Sequence, residues 1–239
     1  MSAPPRYVTQ PDNFVQAPVR WLSGRVARLL AHTPVTPNQV TVTRGLINAA
    51  ALALFVEGSY RSFVIGFVLF QLFELLDHVD GDLARLRHTT SRLGALLETF
   101  MDTYGARPSN LFGLCIALGM VRQGGGGSLL PLYLYVAIAI GRLLWLEYRG
   151  PFGWGEDRDA VLGGEHGHYL PLVGTGSSRR SLSNLVVIVY TWQNQIILWG
   201  GLLQIVRKDA LLWALGAVAL LNHLPWLILV TKGFWRARE

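Results

Sequence analysis

Two pairs of acidic residues have the spacing and the residue type for metal-assisted chemistry. Asp77 and Asp80 are three positions apart, and Glu98 and Asp102 are four positions apart. At these separations the members of each pair lie on one face of an α-helix. Carboxylate oxygens bind hard divalent cations, and Mg²⁺ held by few protein ligands commonly completes its shell with substrate phosphates. The spacing therefore predicts a metal-assisted reaction at a phosphate-containing substrate.

The residues around these acids leave room for such a substrate. Gly81, Ala84 and Gly94 have little or no side chain, so a flat base or a pyrophosphate can approach the backbone. Arg85 can present its planar fork of N–H donors to phosphate oxygens. Asp82, in contrast, is predicted to be solvated at the end of its helix.

The acids occur in a chain with the composition of a membrane protein. Of the 239 residues, 51% are hydrophobic and 15% are charged, whereas soluble domains carry roughly 25% charged residues. A carboxylate at mid-bilayer depth costs at least ~3 kcal/mol on insertion scales, so clustered acids need a compensating cation. The single cysteine, Cys115, excludes a disulfide framework and a cysteine metal site.

Six apolar segments approach the ~20 residues that a helix needs to cross the hydrocarbon. The chain is therefore predicted to be an all-α integral membrane protein with six transmembrane helices preceded by an interfacial amphipathic helix. The second and third predicted spans are antiparallel and joined by a short turn, which would bring the four carboxylates into one small volume. The predicted spans are 40–57, 62–80, 94–121, 129–148, 182–206 and 210–231.

The segment 14–32 precedes the first predicted span. Its apolar residues recur at helical spacing with arginines among them, which is typical of a helix lying in the membrane interface. The alternative is a short helix packed against the rest of the domain. We therefore divide the chain into a juxtamembrane segment, 1–35, and a six-helix membrane domain, 36–239.

The basic residues predict the orientation. Most of the 21 lysines and arginines fall on one side of the predicted membrane, and the positive-inside rule then puts both termini in the cytoplasm. The carboxylates would face the cytoplasm too, and we expect the protein in a bacterial plasma membrane. Nucleic acid is excluded as a partner, because the arginines are spread among hydrophobic segments rather than gathered on one face.

The acids and the residues between them resemble the motif of the CDP-alcohol phosphotransferase family, D-x2-D-G-x2-A-R-x8-G-x3-D-x3-D. Every position agrees except one, because Glu98 stands where the family has its third aspartate. The segment Thr36-Pro37-Asn38-Gln39-Val40-Thr41 is similar to the TPNxxT sequence that opens the family's first span. Glutamate keeps the charge but reaches one methylene further, so the spacing or occupancy of the metals can differ.

The resemblance implies a reaction, an oligomeric state and a set of site residues. A substituted phosphate would pass from a CDP-linked donor to an alcohol hydroxyl, CMP would leave, and the enzyme would be a homodimer. Asp102 would be the general base. Two divalent ions, Mg²⁺ with Mn²⁺ as the alternative, would be held by Asp77, Asp80, Glu98 and Asp102. The CDP moiety would be bound by Asn38, Thr41, Gly81, Ala84, Arg85 and Gly94.

Arginines inside or beside the predicted spans need partners. Arg107 and Arg142 fall within spans, where they would pair with Glu74 or Glu147. Alternatively, they would form a pocket for the acceptor or for a phosphate. Arg149, Arg179 and Arg180 would add to that pocket.

Several functions stay open on the sequence. The first is a transferase that uses CDP-diacylglycerol as donor and a small alcohol as acceptor. The second uses a soluble donor of the CDP-inositol type and a lipid or polyol acceptor, and the sequence around Asp80 to Arg87 resembles that branch of the family. Intramembrane acids also mark ion or proton transporters, and Glu98 alone would fit a non-catalytic relative.

Overall fold

Helices make up all the regular structure that the computed structural model describes, which covers residues 17–89, 92–105, 107–149 and 193–236. The prediction of an all-α protein is confirmed within these ranges. A short 3₁₀ turn spans Leu203–Ile205. The helices are α1 (Ala17–Ala31), α2 (Pro37–Glu57), α3 (Tyr60–Arg87), α4 (Arg92–Gly105), α5 (Leu111–Gln123), α6 (Leu130–Arg149), α7 (193–202 where described) and α8 (Ala210–Arg236).

The chain folds into two compact units. The first comprises residues 1–123 and holds α1 to α5, and the second comprises residues 124–239 and holds α6 to α8. Both predicted acid pairs belong to the first unit. The fold of that unit therefore positions the predicted site.

The start of α2 is fixed by a capping box in the segment that resembles TPNxxT. The Thr36 hydroxyl accepts a hydrogen bond from the Gln39 N–H at 3.3 Å, and the Gln39 side-chain oxygen accepts one from the Thr36 N–H at 2.8 Å. These bonds satisfy N–H groups that the helix leaves unpaired, while Pro37 needs no partner at its position. This segment therefore sets where the first long helix begins.

An aromatic cluster joins α2, α3 and α5. Phe70 lies at its centre, with ring centroids 4.5 Å from Phe112 and 5.4 Å from Phe73. Phe55 of α2 meets Phe63 at 5.2 Å and Phe112 at 5.7 Å. All five rings are buried. Tilted and edge contacts of this kind are favourable for aromatic pairs, so the cluster fixes how α3 lies beside α2.

Glycines allow α2 and α5 to approach closely at the end of the unit away from the acids. A Cβ on Gly119 would lie 1.9 Å from the Phe55 carbonyl oxygen, and one on Gly58 would lie 2.4 Å from the Gly119 carbonyl oxygen. Gly58 also ends α2 in the left-handed conformation, with φ 85°, which favours glycine. Only glycine fits at these two positions without backbone movement.

Replacing Gly119 by alanine is expected to destabilise the protein by about 1–3 kcal/mol, since the obstructing atoms are backbone and cannot rotate away. Thermal unfolding in detergent measures the effect. Gly216→Ala in α8 is the matched control, because nothing lies within 4 Å of its added Cβ. Alanine there should leave the midpoint unchanged or raise it. Equal effects of the two substitutions would refute the close packing.

Helix α1 packs on the C-terminal half of α3. Ala27 is buried with Val40, Val79 and Leu83 in one hydrophobic cluster. The opposite face of α1 stays exposed, and there the Arg25 guanidinium lies 3.7 Å from the centre of the Trp21 ring. The packed helix, which was the alternative interpretation of 14–32, is therefore present, and it leaves an outer face of apolar and basic residues.

Arg87, the last residue of α3, closes the corner between α1 and α2. Its Nη1 donates to the Val35 carbonyl at 2.6 Å, and its Nη2 donates to the Leu30 carbonyl at 2.7 Å. The carbonyls of Ala31 and Thr33 accept from the same Nη2. Carbonyls at a helix end lack partners inside the helix, and one guanidinium supplies them here.

The predicted span 94–121 is wrong as a single helix. Helix α4 ends at Gly105, residues 107–110 form a turn, and α5 begins at Leu111. The reason is Pro108, which has no N–H to donate and disfavours helical geometry in the residue before it. Arg107 consequently lies in this turn rather than inside a span, which corrects its predicted position.

In the second unit, α6 and α8 pack closely through a small residue. A Cβ on Gly141 would lie 3.0 Å from the backbone and side chain of Asn222, and His223 Nε2 lies 3.0 Å from the Ala137 carbonyl oxygen. The turn before α8 holds a separate polar cluster. Hydrogen bonds from Arg207 and then from Trp213 lower the pKa of Asp209 to about 2.

Two described helices, Pro37–Glu57 and Tyr60–Arg87, are long and apolar enough to cross a membrane. Shorter apolar helices are Leu111–Gln123, Leu130–Leu144 and Ala210–Leu224. Of the predicted fifth span, 182–206, the part before residue 193 lies outside the described residues. The count of six spans and the N-in/C-in orientation stay predictions.

Candidate active site

Arg44 of α2 holds the first acid pair in place. Its side chain is fully buried, and its Nη1 forms an ion pair with Oδ1 of Asp77. Its Nε lies 3.3 Å from Oδ2 of Asp80. The same Asp80 oxygen accepts a hydrogen bond of 2.8 Å from the hydroxyl of Thr41, one turn earlier on α2. One face of α2 thus supplies a cation to both acids of the pair and a hydroxyl to Asp80.

The two acids differ in how open they are. The Asp80 side chain is 6% exposed, whereas that of Asp77 is 29% exposed. A buried carboxylate needs a charge partner and hydrogen bonds, which Arg44 and Thr41 provide. Asp77 has the same cation but a more open surface, so it is the described acid best placed to meet a ligand.

Arg85 lies over the open side of Gly81. A Cβ on Gly81 would be 3.5 Å from both Nη1 and Nη2 of Arg85, so the guanidinium is in contact distance of this backbone. Arg85 Nη2 is 2.5 Å from Oδ1 of Asp82. The helix ends just beyond, where the N–H groups of His88 and Thr89 close on the carbonyls of Arg85 and Ala84. Asp77, Asp80, Gly81, Ala84 and Arg85 therefore all lie in the C-terminal part of α3.

Helix α4 carries the second acid pair and packs against α2. A Cβ on Gly45 would meet the Met101 side chain, and one on Gly105 would meet the amide of the buried Asn48. The backbones of Glu98 and Asp102 belong to α4, but their side chains lie outside what the structure describes. The convergence of all four carboxylates stays a prediction, as does the contribution of Gly94.

The described donors have the chemistry that a hard cation requires. Among the residues whose side chains are described, no group of three His, Cys, Asp or Glu stands ready as a metal site. Asp77 and Asp80 supply oxygen atoms only, which suits Mg²⁺ or Mn²⁺ and not the softer metals. Glu98 and Asp102 are the acids that would complete such a site.

The predicted donor-site and acceptor-site residues are placed to different extents. Asn38 and Thr41 lie in the first turns of α2, and Thr41 reaches Asp80. Arg107 lies in the turn after α4, and Arg142 lies on α6 of the second unit. The side chain of Arg149 lies outside the described residues, as do Arg179, Arg180 and the whole loop 150–181.

Arg44 was not predicted as a site residue from the sequence. Its position inside an apolar helix was the available signal, since an arginine at such a position needs an acidic partner. Ser23 was missed too, and nothing in its local sequence marks it. Its hydroxyl is 3.1 Å from Oδ2 of Asp82. The prediction that Asp82 is solvated is wrong, because the side chain is 15% exposed and bound on both oxygens.

Solved structures share this helical arrangement. The phosphatidylinositol phosphate synthase of Mycobacterium tuberculosis with CDP-DAG bound matches with a TM-score of 0.58 and 17% identity, over 88% of this chain and 92% of that chain. The same synthase in complex with manganese and citrate gives 0.55 and 18% identity, over 87% of each chain. The protein thus has the fold of this synthase.

The family follows from the sequence. Residues 34–151 match the CDP-alcohol phosphatidyltransferase family. These residues carry the domain of this family, and the resemblance seen in the motif from Asp77 to Asp102 is confirmed. The family match and the two long apolar helices together indicate that it is a membrane protein.

Two curated relatives match part of the chain. The bifunctional IPC transferase and DIPP synthase of Thermococcus kodakarensis is 39% identical over 95 residues, and that of Aquifex aeolicus is 32% identical over 94 residues. Each match covers 39% of this chain and 21% of the relative. The chain thus spans about a fifth of the length of these curated relatives.

Proposed function

We propose that this protein transfers a substituted phosphate from a CDP-linked donor to an alcohol hydroxyl and releases CMP. The observation that carries the proposal is the arrangement of side chains in the C-terminal part of α3. There Arg44 and Thr41 hold the motif acids Asp77 and Asp80, and the Arg85 guanidinium lies over Gly81. Oxygen ligands beside a phosphate-binding fork suit the transfer of a phosphate group.

The reaction replaces one P–O bond by another at a single phosphorus atom. The alcohol oxygen forms a bond to the phosphorus distal to cytidine, and the bond from that phosphorus to the bridging oxygen breaks. The electron pair goes to CMP, and Asp102 accepts the hydroxyl proton. Arg85 binds the donor phosphates and orients them, while Gly81 and Ala84 let the diphosphate approach the backbone.

Divalent ions fit the donor set of this site. Asp77, Asp80, Glu98 and Asp102 would hold one or two ions, and bound Mg²⁺ or Mn²⁺ would neutralise charge on the diphosphate and on the leaving CMP. The manganese in the solved synthase supports this assignment. Arg44 supplies positive charge to the same acids from the α2 side.

The donor is proposed first as CDP-diacylglycerol, with a small alcohol as acceptor. The solved synthase with CDP-DAG bound supports this version, since its fold covers 88% of this chain. The second candidate is a soluble CDP-alcohol of the CDP-inositol type. The curated relatives keep it open, because they are named bifunctional IPC transferase and DIPP synthase rather than phosphatidylinositol phosphate synthase.

The site is proposed to face the cytoplasm of a bacterial plasma membrane, with the protein a homodimer. The outer face of α1 supports contact with the lipid surface. Trp21, Leu22 and Leu29 are exposed there beside Arg25 and Arg28, and such a face suits anionic headgroups. Arg107, Arg142, Arg149, Arg179 and Arg180 remain candidates for an acceptor or phosphate pocket.

CMP release by the purified protein in detergent with Mg²⁺ tests the proposal. One arm contains CDP-diacylglycerol and the other soluble CDP-alcohols, each with a mixture of small alcohols and lipid acceptors. We expect metal-dependent CMP in one arm, abolished by a chelator, and the productive arm identifies the donor class. CMP formation in neither arm would refute the proposal, unless Glu98→Asp restores it and so identifies a chain inactivated at the third motif acid.

A further inference from the structure

Asp82 lies outside the motif acids and yet is bound on both of its oxygens. Oδ1 accepts from Nη2 of Arg85 at 2.5 Å, and Oδ2 accepts from the hydroxyl of Ser23 at 3.1 Å. The Asp82 side chain is 15% exposed, and Ser23 is fully buried. An acid near the end of a helix ordinarily points to water, so this arrangement requires a physical reason.

The contact with Asp82 fixes the orientation of Arg85. An arginine side chain carries several rotatable bonds and about 2 kcal/mol of rotamer entropy when it is free. Arg85 is 34% exposed, so packing alone does not hold it. The carboxylate takes Nη2, and the guanidinium lies along Gly81 with both Nη atoms 3.5 Å from the position of a Cβ there. Arg85 Nε is buried, so the Nη1 end of the fork is the part left to a phosphate.

The contact with Ser23 fixes the orientation of Asp82 in turn. Ser23 belongs to α1, 59 residues before Asp82 in the chain. Its single hydroxyl proton has two acceptors in reach, Oδ2 of Asp82 and the Arg20 carbonyl oxygen at 3.0 Å, and the charged carboxylate is the stronger of the two. Ala27, one turn later on the same face of α1, is buried against Val79 and Leu83 of α3. The packing of α1 on α3 therefore delivers Ser23 to Asp82. A chain of contacts runs from α1 through Asp82 to Arg85.

We propose that Asp82 is a positioning residue that, held by Ser23 of α1, fixes the Arg85 guanidinium over Gly81 to receive the phosphates of the CDP-linked donor. The proposal rests on the proposed function, because it assigns Arg85 to the donor. It predicts that removing the Asp82 carboxylate weakens binding of the donor. If Asp82 instead competed with the donor for Arg85, removing the carboxylate would strengthen donor binding.

Asp82→Ala tests directly whether losing the carboxylate weakens or strengthens donor binding. We expect roughly a tenfold rise in the KM for the CDP-linked donor, as for the loss of a charge-assisted contact, with a much smaller change in kcat. The dissociation constant of CDP in the presence of Mn²⁺ should rise in parallel. Asp82→Glu keeps the charge and should bring both constants back towards the original values. Asp209→Ala is the matched control, since it removes an aspartate paired with an arginine in the other unit.

Ser23→Ala provides a second variant that leaves the Arg85 pair intact. It should raise the same two constants by a smaller factor, with the melting temperature in detergent close to that of the original protein. An unchanged or lowered KM and CDP dissociation constant in folded Asp82→Ala protein overturns the proposal. Failure of the original protein to bind CDP or release CMP would instead refute the proposed function, so the two failures are distinguishable.

Discussion

Replacing Asp102 by asparagine is expected to lower the kcat for CMP release by about 10²–10⁴-fold, the usual contribution of a general base. Asparagine has nearly the same shape but cannot accept the hydroxyl proton of the acceptor. The KM for the donor should change far less, because the fork of Arg85 is intact. Initial rates of CMP release over a range of donor concentrations measure both constants.

Two controls separate the roles assigned to Asp102. Asp209→Asn changes an exposed acid of the turn before α8 and should leave the rate unaltered. Titration with Mg²⁺ then distinguishes proton transfer from metal binding. A rate of the Asp102→Asn variant that recovers fully at high Mg²⁺ would assign Asp102 to the metal alone and contradict its role as the base.

Replacing Arg44 by methionine is expected to destabilise the protein by about 3 kcal/mol or more, because it leaves Asp77 and Asp80 without their cation. Methionine fills much of the space, so the loss reflects charge more than a cavity. Thermal unfolding in detergent without divalent ions measures it. Added Mg²⁺ should recover part of the loss, since a bound ion compensates the same acids and stabilises the folded state.

Arg61→Met is the control for this measurement. Arg61 is exposed near the start of α3 and far along the helix from the acids, so its loss should change the stability by less than about 0.5 kcal/mol. Equal destabilisation by both substitutions would show that Arg44 does not hold the acids. A loss in Arg44→Met that Mg²⁺ leaves unchanged would argue against a metal at Asp77 and Asp80.

The helices were predictable where an apolar run has a marked beginning and end. The predicted span 129–148 corresponds to α6, Leu130–Arg149, because the glycine run before it cannot continue a helix. The segment 94–121 was misjudged, since hydropathy continues across Pro108 while the backbone cannot. Apolar patterns indicate where the chain is buried, but they do not show which proline ends a helix, since α8 continues across Pro225.

The site divides in the same way between local and long-range information. The motif residues on α3 lie in consecutive turns of one helix, so their spacing alone was enough to place them together. They are Asp77, Asp80, Gly81, Ala84 and Arg85. Their partners were not predictable by spacing. Arg44 and Thr41 come from α2, and Ser23 comes from α1, 59 residues before Asp82. Such pairs depend on how the helices pack, which helical periodicity does not encode.

The Arg87 guanidinium has a consequence for the order in which the molecule is built. The carbonyls that it caps belong to residues 52 to 57 positions earlier in the chain. A chain made from its N-terminus therefore exposes the corner between α1 and α2 with those carbonyls hydrated until the whole of α3 has been synthesised. The corner between α1 and α2 therefore gains these hydrogen bonds only once the last residue of α3 has been added to the chain. Arg87, which lies outside the proposed set of site residues, thus completes the corner beside the C-terminal end of α3.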